Sequence, residues 1–215
     1  MNKIKNTQKL LIVFYGIGRS SNCVNRNLKF INKSLDNQFK IESAYAYNKI
    51  KHINNPRSNE FNNINKEELS SNLSLVDIVY EKNQEIFIKK FQAIIYKHLH
   101  KSFIDPYNDN FKTLSNLFCQ LSLLDQFFHD IDINKYNLII TIRDDVIISN
   151  SFGLFKACEI LPFFPKFALT TSFHWHNGIN DRVLIFNSKF KNIFKNRLSE
   201  FRKCLEKNTF YNSEK

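Results

Sequence analysis

A chain of 215 residues is long enough for one domain with a proper core and cramped for two. With 43% hydrophobic residues and no apolar run of about 18, it reads as a soluble globular chain without a membrane span. Basic residues outnumber acidic ones 31 to 20, but lysine supplies 24 of them, scattered along a chain also rich in Asn, Ile and Phe, so nucleic acid is not the expected partner.

The predicted elements alternate. The opening "MNKIKNTQKLLIVFYGIGRSS" has the basic start and short apolar core of a leader, but no A-x-A site follows, and a first buried strand over Leu10–Tyr15 with a glycine turn after it explains the same letters. Asn25–Leu35, with Leu28, Ile31 and Leu35 on one face, predicts a helix, and Phe39–Tyr47 alternates like a strand. Residues 48–74, rich in Asn, Ser and Lys, predict a long loop of functional length. Leu75–Tyr80 follows as a short strand, then a helix over Glu85–Phe103, the punctuation "IDPYND" and a second long helix over Phe111–Asp130. Leu138–Ile142 predicts a strand buried on both faces; 152–165, with Pro162 and Pro165, a broken helix or loop. Strands over Phe167–Ser172 and Val183–Asn187 and a helix over Phe190–Leu205 complete the chain. Strands alternating with helices predict an α/β sandwich with a mostly parallel sheet. The phenylalanine stripes read as core. Cys23, Cys119, Cys158 and Cys204 are widely spaced without CxxC, which favours reduced thiols in a cytoplasmic protein over disulfides or zinc.

Three polar clusters interrupt this pattern. In an open α/β sheet ligands sit beyond the carboxyl ends of the strands, so "YGIGRS", "TIRDDV" and "HWHNGINDR" are the segments expected to converge. Gly16 and Gly18 would let the backbone approach a phosphate and Arg19 pair with it, although the cluster is neither a dinucleotide fingerprint nor a P-loop, and taken alone it reads better as a tight turn beside an exposed arginine. Arg143, Asp144 and Asp145 end a buried strand, where charge is costly unless paired or bound to a cation. Period-two alternation sets Arg143 and Asp145 on one side and Asp144 on the other, which makes Asp145 the better metal or sugar contact and Arg143 its orienting partner. The competing reading is a structural Arg–Asp pair. Magnesium or manganese is the cation class that carboxylate oxygens would take, with Asp144 as a further ligand. His174 and His176 around Trp175 read as packing or surface residues ahead of a metal site. Gly178, Asn180, Asp181 and Arg182 form a turn whose donors and acceptors suit sugar hydroxyls or a diphosphate. Arg57 and Glu60 lie in the long loop.

In order and spacing these motifs resemble the bacterial and viral glycosyltransferase-like proteins of surface-polysaccharide gene clusters. The resemblance rests on YGxxRS near the N-terminus, N-P-R-S-x-E at 55–60, a helix carrying Asn116, a strand ending R-x-D, then W with G-x-N-D-R, and a closing Ser213-Glu214. It implies a GT-A-like three-layer sandwich spanning 1–215 as one domain, with R-x-D at the acidic metal and diphosphate motif. It further implies transfer of a sugar from a nucleotide-sugar donor to a glycan or lipid-linked acceptor. Gly16, Arg19, Arg143, Asn180 and Arg182 would bind the donor; Asp145 and Asp181 would be catalytic; Asp145 and Asp144 would hold a divalent cation. Asp144 stands where similar sequences often carry proline, and similar proteins usually continue past Ser213-Glu214, which suggests a shortened member. The expected location is the cytoplasm, with peripheral association at the inner face of the membrane. Two rival readings are a basic module for nucleic acid or another acidic polymer, and a glycosyltransferase-like protein without activity.

Overall fold

A computed structural model describes residues 8–18, 22–35, 38–50, 53, 64, 66–98, 105, 108–149, 151–164, 166–170 and 182–207. In chain order the elements are β1 (Gln8–Gly16), α1 (Cys23–Leu35), β2 (Phe39–Lys49), α2 (Lys66–Leu73), β3 (Ile78–Asn83), α3 (Gln84–His98), α4 (Lys112–Asp130), β4 (Leu138–Arg143), α5 (Ser151–Ile160), β5 (Ala168–Thr170), β6 (Val183–Asn187) and α6 (Ile193–Lys207). The six strands form one sheet in the order β3-β2-β1-β4-β6-β5. β1, β2, β3 and β4 are mutually parallel, whereas β6 pairs antiparallel with β4 and β5 antiparallel with β6. The expected α/β sandwich is therefore present, mostly parallel, with an antiparallel edge.

β1 and β4 sit in the middle because their sequences leave no polar face. Leu10 to Phe14 and Leu138 to Ile140 are fully buried, their side chains alternating between two apolar layers. One layer joins Leu11, Val13, Ala44, Ile139 and Phe186 to residues of α3, α4 and α6; the other joins Leu10, Ile12, Phe14, Tyr45, Ile140 and Ile142 to residues of α1 and α5. Phenylalanines run through the first layer, with Phe128 stacked on Phe194 at 5.1 Å and Phe127 edge-on to Phe128 at 5.1 Å. Each such ring removed from water is worth roughly 1.5–3 kcal/mol, which is what holds three helices on one face.

Several boundaries differ from the sequence reading, each for a physical reason. β2 runs on to Lys49 and β3 to Asn83 because Tyr47, Asn48 and Lys49 pair with Glu81, Lys82 and Asn83, while the ladder opens at Ala44 with Ile78, three residues later than the expected start of β3. The long loop contains α2, a polar helix that contributes just Leu69 and Leu73 to the apolar layer and so carries little periodic signal. The segment expected to be broken is helical over Ser151–Ile160, and Pro162 follows in a 3-10 turn. α4 opens as its punctuation requires. Asp105 accepts the amides of Asp109 and Phe111, and Asp109 accepts the amide of Thr113 at 3.0 Å, across a turn where Asn108, Asn110 and Phe111 have positive φ. All four cysteines are free, with Cys119 and Cys158 buried.

Candidate functional site

Parallel pairing of β1 with β4 sets Tyr15 beside Arg143, so Gly16 and Asp144 leave the sheet together. β6 runs the other way, with Val183 opposite Ile142, and the chain entering it through Arg182 arrives at the same end. The Arg143 amide donates to the Arg182 carbonyl at 2.8 Å. Gly16, Arg143, Asp144, Asp145 and Arg182 are thus gathered at the carboxyl ends of the central strands. Arg19, Asn180 and Asp181, together with Gly178, Arg57, Glu60, His174, Trp175, His176, Ser213 and Glu214, lie outside the described residues.

Asp144 is 2% exposed, and its surroundings explain the glycine at position 16. Its amide donates to the Tyr15 carbonyl at 2.9 Å, which continues the β1–β4 ladder. Its Oδ2 accepts the Ile17 amide at 3.1 Å and the Tyr45 hydroxyl at 3.0 Å, so one carboxylate joins the ends of β4 and β1 to a side chain of β2. A Cβ at position 16 would lie 2.2 Å from Cγ, Oδ1 and Oδ2 of Asp144. Gly16 is needed for space: the carboxylate fills the volume that any side chain there would use. Gly18 is needed for both space and conformation, since its φ is +65° and a Cβ there would lie 2.8 Å from Tyr47 Cδ2.

Arg143 and Asp145 face the other way. Arg143 Nε donates to Asp145 Oδ1 at 3.0 Å and Nη2 to Oδ2 at 2.6 Å, a bidentate fork whose two side chains remain 29% and 25% exposed. The pair is held in a fixed orientation while staying in contact with solvent, as a ligand-facing group must. Tyr47 and Glu81 continue the polar end of the sheet at β2 and β3. The Tyr47 hydroxyl donates to Glu81, and Lys49 Nζ lies 2.9 Å from the same carboxylate. Burial, then the bond to Glu81, pushes the Tyr47 phenol well above its ordinary range. The bond from Tyr47, then that from Lys49, holds the Glu81 carboxyl low.

Asn27 is a contributor the sequence reading missed. It lies fully buried in α1, donates from Nδ2 to the Val146 carbonyl at 2.7 Å and accepts the Ile148 amide on Oδ1 at 2.8 Å. Both ends of one amide thus fasten the chain that leaves β4, three residues beyond Arg143. A signal was available: Val24, Leu28, Ile31 and Leu35 form the buried stripe of α1, and Asn27 interrupts it.

The described carboxylates do not make a cation cage. Asp144 is enclosed by its own hydrogen bonds, Asp145 is engaged through both oxygens by Arg143, and no cluster of three or more His, Cys, Asp or Glu suited to a metal occurs among the described residues. Asp181, a further carboxylate expected at this end of the sheet, lies outside the described residues. No helix among the described residues is long and apolar enough to cross a membrane.

No protein-family model matches the chain, and no curated protein matches it. Among solved structures, the galactosyltransferase LgtC, crystallised with donor and acceptor sugar analogues, superposes with a TM-score of 0.51 at 11% sequence identity, covering 94% of this chain and 68% of that one. At that identity the likeness is one of architecture: a six-stranded mixed sheet between helical layers, of the GT-A-like kind.

Proposed function

We propose that this chain is a nucleotide-sugar-dependent glycosyltransferase, a single domain over 1–215 that moves a sugar to a glycan or lipid-linked acceptor in surface-polysaccharide synthesis. The observation that supports it is the gathering of Gly16, Arg143, Asp145 and Arg182 at the carboxyl ends of a GT-A-like sheet. In this reading the bond from the anomeric carbon to the diphosphate oxygen breaks and a bond to an acceptor hydroxyl forms. The main catalytic need is to stabilise the charge that develops on the leaving diphosphate. Arg143, oriented by Asp145, supplies part of that positive charge, and Arg19 and Arg182 supply the rest. Asp145 contacts the donor as a hydrogen-bond acceptor, Asn180 contacts the donor sugar, and Asp181 takes the proton of the acceptor hydroxyl.

The test is a panel of nucleotide-sugars with Mn²⁺, with Mg²⁺ or with a chelator, following nucleoside diphosphate release and thermal shift. Stabilisation by at least one donor, lost in Asp145→Asn, is expected. Donor binding without turnover would identify an inactive relative of such enzymes. Salt-sensitive binding to nucleic acid that ignores Asp145, with no response to any donor, would replace the proposal with a basic binding module.

A further inference from the structure

Half of the large hydrophobic side chains that are exposed among the described residues fall within ten consecutive positions: Ile160, Phe163, Phe164, Phe167 and Leu169. Phe163 is 80% and Phe167 61% exposed, while most of the other described phenylalanines lie in or against the core. The segment is ordered by its own backbone: the Phe164 amide donates to Leu161 and the Phe167 amide to Phe164, both at 3.0 Å, and the rings of Phe164 and Phe167 meet edge-on at 5.7 Å. It forms the margin of the sheet, because β5 is the last strand. Antiparallel register, with Ala168 opposite Phe186, sets Phe167 beside the exit of β6, at the end of the sheet away from Asp145.

The charges around this patch are mostly of one sign. Lys166 lies between the rings in sequence, Lys156 is exposed on α5, and Lys189 and Lys191 are exposed just after β6; Glu159, the acidic neighbour, is paired with Lys156 at 3.0 Å. A second copy of the chain is a poor occupant. A two-fold contact would set these lysines against themselves, and the five side chains offer roughly 500 Å², short of the roughly 800 Å² per partner of a stable interface. Aromatic rings flanked by lysines suit a surface with an apolar interior and anionic headgroups.

We propose that the 160–169 edge docks on an anionic lipid bilayer, with Phe163 and Phe167 entering the interface and Lys166, Lys189 and Lys191 meeting lipid phosphates. A bilayer held there leaves the strand ends around Arg143 and Asp145 uncovered, and the inference holds whatever reaction occurs at them. The experiment is sedimentation of the full chain with vesicles of phosphatidylcholine alone or mixed with phosphatidylglycerol, alongside sedimentation velocity without lipid. Binding to the anionic vesicles is expected, weakened by salt, roughly tenfold weaker in Phe163→Ser and again in Phe167→Ser, and roughly fivefold weaker in Lys166→Glu, with unchanged melting temperatures. Equal binding to both vesicle types, no binding to either, binding indifferent to these substitutions, or a wild-type dimer that Phe163→Ser dissociates would each overturn it.

Discussion

On the side of the sheet covered by α1 and α5, the end of β4 carries a carboxylate that is buried and bonded to the Ile17 amide and the Tyr45 hydroxyl. On the other side, one residue along, it carries a carboxylate gripped by Arg143 and a quarter exposed. Asp144 and Asp145 share a backbone and little else. The difference shows how the turn after a strand can both anchor the loops around a site and present a group to a ligand: the turn after Arg143 sends the two carboxylates to different partners, and the surroundings of each decide which role it can take. Asp144 fastens the Ile17 amide and the Tyr45 hydroxyl, which ties the loop after β1 to β2; Asp145 stays part-exposed beyond the strand ends, paired with Arg143.

The sharpest way to break this contrast is through Gly16. Asp144→Ala leaves a part-buried amide and a buried hydroxyl without their acceptor and should cost about 3 kcal/mol. Gly16→Ala, whose methyl would enter the carboxylate, should cost at least as much. In the double variant the methyl takes space that the carboxylate vacates, so the two losses should fall short of their sum by more than about 1 kcal/mol in chemical denaturation. Additive losses would mean that the two residues do not share that space.

Next in size is Asn27. Asn27→Leu keeps the volume and strands the Val146 carbonyl and Ile148 amide, an expected cost of roughly 2–3 kcal/mol by denaturation. Arg143 should behave in the opposite manner. Because its ion pair is part-exposed, Arg143→Ala should cost under about 1 kcal/mol of stability. Donor affinity in the same variant should fall roughly tenfold or more, a loss that Arg143→Lys repairs in part because lysine keeps the charge and loses the fork.

The smallest effect concerns the thiols. Burial pushes Cys119 up to about 11 and Cys158 up to about 12 from an ordinary 9.0. The folded chain keeps protons there that the unfolded chain releases, so stability should fall as pH rises through 9 toward those values. A thiol reagent should label the half-buried Cys23 and Cys204 first, and Cys119 and Cys158 after denaturation.

The fold was legible where apolarity was continuous. Leu10–Tyr15 and Leu138–Ile142 have no polar face, which identified the two central strands, and Val183–Asn187 was placed at its true limits. Alternation separates Asp145 from Asp144 in the sequence, but β4 ends at Arg143 and both aspartates lie in the turn closed by the Val146 amide on the Arg143 carbonyl, so their different partners set them apart. The burial of Asp144 was not, because it depends on Tyr45 and Gly16, supplied by two other strands and visible just after the sheet is assembled. The phenylalanines divide in the same way. The phenylalanine stripes read as core in the sequence, which holds for Phe118 and Phe128 on α4 and fails for Phe163 and Phe167, because nothing local marks these two as outward: the end of α5 and the edge position of β5 decide it.

The most direct measurement sets Asp144→Asn beside Asp145→Asn, each followed by thermal melting and by titration with the donor that stabilises the parent chain. We expect Asp144→Asn to lose several degrees of melting temperature, the order that about 1 kcal/mol or more produces in a chain of this size, and Asp145→Asn to melt with the parent while losing donor binding at least roughly tenfold. A destabilised Asp145→Asn that still binds donor, beside an unaffected Asp144→Asn, would contradict the assignment of anchoring to Asp144 and ligand contact to Asp145.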